Sequence, residues 1–132
     1  MSRTADNVVR IPTTSINGNF LRFWFEFLRP FHRLTDREIE VLTAIVKKRF
    51  QLSEVISDED ILDQVLMSEE TKKEISQECN MSMAYFQTIF SKLKKNKIVK
   101  DDKINRRYLP NVRKDGKNFK LLLLFELNDI QK

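Results

Sequence analysis

The sequence predicts a mainly α-helical domain that closes with a small antiparallel β element, and two observations carry this reading. Apolar residues recur with a 3.6-residue period through most of residues 20–95, and beyond residue 97 this gives way to short apolar runs separated by turn residues. The chain also has few breaks, with two glycines and three prolines among 132 residues, while 41% of positions are hydrophobic and 33% charged. That length suffices for one buried core, and the composition argues against a loop-rich or disordered chain.

Residues 1–19 show no periodicity and are expected to form an arm, extended at Val8-Val9-Arg10-Ile11-Pro12 and turning at Asn17-Gly18-Asn19. A single domain is expected over 20–132. It opens with an aromatic segment, 20–31, whose period is ambiguous. Phe20, Trp24, Phe27 and Phe31 fit a helical face, whereas Leu21, Phe23, Phe25 and Phe27 alternate as in a strand. Asn19 as a cap and Pro30 as a stop favour a helix. Either form has more apolar groups than one face can bury. Phe20, Phe23, Trp24 and Phe27 therefore become candidate contacts for a second chain, a homodimer or a larger assembly; packing entirely on the core is one alternative, and a nucleic-acid stacking platform, which only Arg22 and Arg29 would accompany, is a weaker one.

Thr35-Asp36-Arg37-Glu38 is a capping box opening a helix over 35–50 that buries Ile39, Leu42 and Val46, with Ile45 a further candidate. The stretch from Ser53 to Glu70 contains seven acidic residues and no basic one. Within it a helix over 58–67 is expected, with Ile61, Leu62, Val65 and Leu66 inward. Asp58, Asp60 and Asp63 lack the glycine and closing glutamate of a calcium loop, and a helix N-terminus accounts for them.

The segment 70–95 reads as two short helices around a turn at Asn80-Met81-Ser82. Ile75 and Cys79 face inward, small Ser76 permits close approach, Asn80 suits a left-handed turn, and Ser82 caps the second helix. There Phe86, Ile89, Phe90 and Leu93 form one apolar stripe, and the opposite face holds Ala84, Thr88, Ser91 and Lys95. Tyr85, Gln87 and Lys92 flank that face. This is the pattern of a helix-turn-helix whose second helix presents a polar face of groove size. Short strands are expected over 98–127: one from Ile98-Val99, one over Ile104–Leu109 stopped by Pro110, and one over Phe119–Leu127, with Asp115-Gly116 as a turn.

Net charge is +5, and it is unevenly spread. Residues 92–120 contain twelve basic and three acidic residues, so positive charge starts at the end of the second helix and runs into the expected strands. Such asymmetry points to a polyanionic partner.

The motif Lys73-Glu74-Ile75-Ser76, with Met81-Ser82, Ile89 and Lys92-Leu93, resembles the LuxR-type helix-turn-helix of bacterial and phage regulators. Leu34-Thr35-Asp36-Arg37-Glu38-Ile39-Glu40-Val41-Leu42 resembles the opening of that family's domain. Here an acidic insertion separates the two pieces and expected strands follow them, so the whole is more similar to winged helix-turn-helix proteins of the MarR-like or replication-initiator kind. The resemblance covers about two thirds of the chain. It implies double-stranded DNA as partner, a transcription regulator or replication initiator as role, and a recognition helix in the major groove. Gln87, Thr88, Ser91 and Tyr85 would then meet base edges. Lys92, Lys94, Lys95, Arg106, Arg107, Arg113, Lys114 and Lys117 would meet phosphates, the last three from a basic wing tip.

Other classes lack their residues. The lone histidine, His32, has no partner for metal binding or nucleophilic catalysis, and there is no glycine-rich phosphate loop. No catalytic residue, metal or cofactor is therefore expected. The single cysteine, Cys79, excludes an internal disulfide. No apolar run approaches membrane-spanning length, and the start lacks a signal-peptide core, so the expected location is cytoplasmic, or the host cytoplasm or virion for a phage-encoded protein. The alternative function is a phage structural or packaging component, or a polymerase accessory, working through protein contacts.

Overall fold

The computed structural model describes residues 20–110 together with Phe119 and Leu127. The described chain is mainly helical with one small sheet. Five helices, α1 (Phe20–His32), α2 (Asp36–Leu52), α3 (Glu59–Leu66), α4 (Glu69–Glu78) and α5 (Met83–Lys95), precede two strands, β1 (Val99–Lys100) and β2 (Lys103–Ile104). A 3-10 turn, Arg106–Tyr108, follows.

Helix α2 is central because its sequence is apolar on more than one side. Ile39, Leu42 and Val46, together with Val41 and Ile45, are all buried, and α2 packs against α1, α3, α4 and α5. Its start is the expected capping box: Thr35 Oγ1 accepts from the Glu38 N–H, and the Glu38 carboxylate accepts from the Thr35 N–H at 3.0 Å. Asp58, Ser68 and Ser82 cap α3, α4 and α5 in the same way, each accepting from amides of the first turn. Arg49 of α2 and Asp63 of α3, both nearly enclosed, form an ion pair at 3.2 Å that holds the two helices together.

The aromatic segment is helical, and Pro30 does not end it. Proline removes only one donor near the helix end, and α1 continues to His32. Termination comes from Arg33, which adopts φ 52° and lets the Leu34 N–H reach the Arg29 carbonyl at 3.2 Å. Trp24, expected at a partner surface, belongs instead to the core. It is buried, and its Nε1–H donates to the Tyr108 carbonyl at 2.9 Å, tying α1 to the 3-10 turn. Phe20 is partly buried, with the Phe119 ring 5.1 Å away edge-on. Phe27 is half-buried beside Trp24 and Phe31, and Phe23 is exposed.

Two further expectations are corrected. Ile61 is half exposed, because α3 has only two turns and turns Leu62 and Leu66 inward. The strand expected over 104–109 stops after Ile104. Asn105 Oδ1 accepts from the Arg107 N–H, a local bond that starts the 3-10 turn in place of a ladder. The strands pair antiparallel, Val99 opposite Ile104 and Lys100 opposite Lys103, with both apolar members buried. Asp101 and Asp102 form the two-residue turn, with φ 55° and 57°. The arm over 1–19, the Asp115-Gly116 turn, and the strand over 119–127 apart from its first and last residues lie outside the described residues.

Candidate nucleic-acid interface

Helices α4 and α5 meet through a turn set by three local features. Asn80 takes φ 54°, the Met81 N–H reaches the Ser76 carbonyl at 2.9 Å, and Ser82 Oγ accepts from the Tyr85 N–H at 3.1 Å. Ser76 is buried where the helices approach. Cys79 is buried too, and burial first, then Glu40 and Glu78, pushes its thiol up to about 11. A thiol so held is a packing residue rather than a nucleophile.

Phe86, Ile89, Phe90 and Leu93 are buried, which fixes the rotation of α5 and turns Ala84, Thr88, Ser91 and Lys95 outward. Thr88 Oγ1 donates to the Ala84 carbonyl at 3.1 Å, leaving its acceptor capacity outward. At one edge stand Tyr85 and Lys92, both exposed; at the other are half-buried Gln87 and exposed Lys94. The outward face is thus shallow at its centre and cationic toward its C-terminal end. Three of its cations (Lys92, Lys94 and Lys95) lie in the last turn, where they also complement the helix dipole.

The remaining candidate residues separate. Arg107 is exposed and forms no ion pair among the described residues. Arg106 points elsewhere: its guanidinium is bound bidentately by the Glu59 carboxylate of α3, one contact being 3.2 Å. That hydrogen bonding holds Glu59 below its ordinary value. Arg113, Lys114 and Lys117 lie outside the described residues. The hairpin that is described, Lys100-Asp101-Asp102-Lys103, is electrically balanced rather than basic. Its tip faces α3 across an open cleft lined by Asp60, Asp63, Asp101 and Asp102 together with Gln64, Met67 and Lys103. With Asp63 paired to Arg49, Asp60, Asp101 and Asp102 still outnumber Lys103, so the cleft is anionic.

Two cations outside the expected set lie beside α5. Arg37, from the first turn of α2, places its guanidinium carbon 5.8 Å from the centre of the Tyr85 ring. Lys72, from α4, places its ammonium 4.6 Å from the centre of the Phe90 ring, which Lys94 also approaches at 5.2 Å. Both are distant from α5 in sequence, and only helix packing brings them there. Their charge is visible in the sequence; their position is not.

Among the described residues no three His, Cys, Asp or Glu side chains are arranged to hold a metal, and no helix is long and apolar enough to cross a membrane. No protein-family model, curated protein or solved structure matches this chain.

Proposed function

We propose that the chain is a winged helix-turn-helix protein that binds double-stranded DNA, acting as a transcription regulator or replication initiator without catalysis. The observation that carries the reading is the outward face of α5. Its centre is Ala84, Thr88 and Ser91, small enough for a helix of about 10–12 Å diameter to enter a major groove about 12 Å wide. Thr88, Ser91, Gln87 and Tyr85 are the groups offered to base edges. Lys92, Lys94, Lys95 and Arg107 supply phosphate contacts, which position the protein without selecting sequence. Arg106 contributes only after leaving Glu59. In this reading the β1–β2 hairpin serves as the wing, and its balanced charge gives the C-terminal turn of α5 the larger share of the attraction. The anionic cleft between α3 and the hairpin supports turning that side away from the duplex.

The test is binding of the purified protein to a labelled random duplex between about 50 and 200 mM salt, with the Lys92→Ala/Lys95→Ala variant alongside. Affinity should fall steeply with salt, and the variant should lower the logarithmic slope by about 2. Absence of binding at low salt would remove this reading. It would leave the assembly role, which the exposed rings of Phe23 and Phe31 on α1 favour.

A further inference from the structure

We propose that Arg37 and Lys72 are phosphate-binding residues, one on each flank of α5, that grip opposite strands of the duplex into which α5 inserts. The inference rests on the DNA-binding reading and adds to it two residues, their ligand and the strand each meets.

Every cation–aromatic contact among the described residues involves a ring of α5: Arg37 on Tyr85, and Lys72 and Lys94 on Phe90. The two sites are on opposite sides of the helix. The Phe90 ring that Lys72 covers is five positions from Tyr85, about 140° around the axis, and Lys94, on the same ring, is nine positions from Tyr85 and projects opposite to it. The outward face of Ala84, Thr88, Ser91 and Lys95 lies midway between Tyr85 and Lys94. A helix seated in a major groove has one sugar–phosphate backbone along each side, and each flank of α5 then faces one strand.

The side chains suit that ligand. Arg37 gives one nitrogen, Nη1, to Glu40 at 2.8 Å, and its other contact is to Tyr85, so no second carboxylate claims its donor fork among the described residues. Its position over the Tyr85 ring limits how far the guanidinium can swing, so little freedom remains to be lost on contact. Lys72 is largely enclosed along its stem, and its ammonium has one long contact, to Glu69 at 3.8 Å. Charges held in place but incompletely paired favour a strong acceptor such as a phosphate oxygen. Lys94 adds a second ammonium on the Lys72 side, and Lys92 lies on the Tyr85 side.

The experiment uses the full chain, the random duplex and its salt series, with Arg37→Ala, Lys72→Ala, and the charge-preserving Arg37→Lys and Lys72→Arg. Arg22→Ala, which alters an exposed cation of α1, is the control. Each alanine variant should weaken binding uniformly across sequences and lower the salt slope by about 1, while the charge-preserving variants and the control keep the wild-type slope. Phosphate ethylation should cease to interfere with binding at one group of phosphates in Arg37→Ala and at another in Lys72→Ala, the two groups on different strands. If the wild type binds but either alanine variant keeps its full slope, or both groups of phosphates fall on one strand, the two-flank assignment is wrong while the DNA-binding reading stands. If the wild type binds no duplex at low salt, both fall together.

Discussion

Arg33, Asn80 and Lys97 share one task at the residue scale. Each takes a left-handed backbone, at φ 52°, 54° and 60°, at the first or second position beyond a helix. Each lets the next N–H close on a carbonyl five residues back: Leu34 on Arg29, Met81 on Ser76, and Ile98 on Leu93. Glycine is the usual residue there, and the chain's two glycines, Gly18 and Gly116, are elsewhere. Asn80 is legible in the sequence because asparagine tolerates this region; Arg33 and Lys97 are not, since nothing in a long cationic side chain announces it. A β-carbon in the left-handed region costs roughly 1–2 kcal/mol, part of which glycine returns through its freer unfolded state. Lys97→Gly should therefore stabilise the fold by about 0.5–1 kcal/mol, seen as a higher urea midpoint with an unchanged slope. An unchanged or lower midpoint would show that Lys97 is not held left-handed.

At the scale of elements, the hairpin is the part that local pattern identifies least well. Its turn uses Asp101 and Asp102 with both φ angles positive, the requirement of a type I′ turn. Aspartate paired with aspartate is a weaker signal for that turn than aspartate followed by glycine, so Asp115-Gly116 outranks it in the sequence. Asp102→Gly creates the favoured pair and should stabilise the protein by about 0.5–1 kcal/mol. It should also slow hydrogen exchange at the Asn105 amide, which donates to the Ile98 carbonyl at 2.8 Å. Faster exchange there would contradict the turn assignment. The helices are the opposite case. The capping box at Thr35 and Glu38 and the stripe Phe86, Ile89, Phe90, Leu93 rest on spacing within a few residues, so the sequence contains the whole argument for them.

The whole molecule is held at its far corner by two long-range ties, Trp24 Nε1–H to the Tyr108 carbonyl and Arg106 to Glu59. The second has a consequence for pH. Hydrogen bonds from Arg106 hold Glu59 below its ordinary value of 4.5, so the unfolded chain takes up that proton at a higher pH than the folded one. The contribution is complete above the ordinary value and is lost as pH falls through the lower folded one. Glu26, held below its ordinary value chiefly by the hydrogen bond from Arg29, behaves with the same sign. Glu59 is exposed and Glu26 partly so, which keeps the effect modest. Glu59→Gln should shrink the drop in urea midpoint between about pH 6 and about pH 3. Equal drops in the two proteins would show that the pair does not couple α3 to the 3-10 turn. The same tie keeps Arg106 from the cations of α5, and Asp60, Asp101 and Asp102 leave the cleft between α3 and the hairpin anionic, Asp63 being paired with Arg49.

What the sequence determined by itself is local in origin: the helix caps at Thr35 and Ser82, the left-handed Asn80, the rotation of α5, and hence which of its residues face outward. Each follows from hydrogen bonds or periodicity spanning at most a few turns. Packing decided what depends on residues remote in the chain. Trp24 went to the core because the Tyr108 carbonyl lies beside it, 84 positions on. Arg106 was taken by Glu59, 47 positions back. Arg37 and Lys72 reached the flanks of α5 because α2 and α4 pack against it. A one-dimensional pattern records the charge of such residues, and only the folded chain assigns each charge a neighbour.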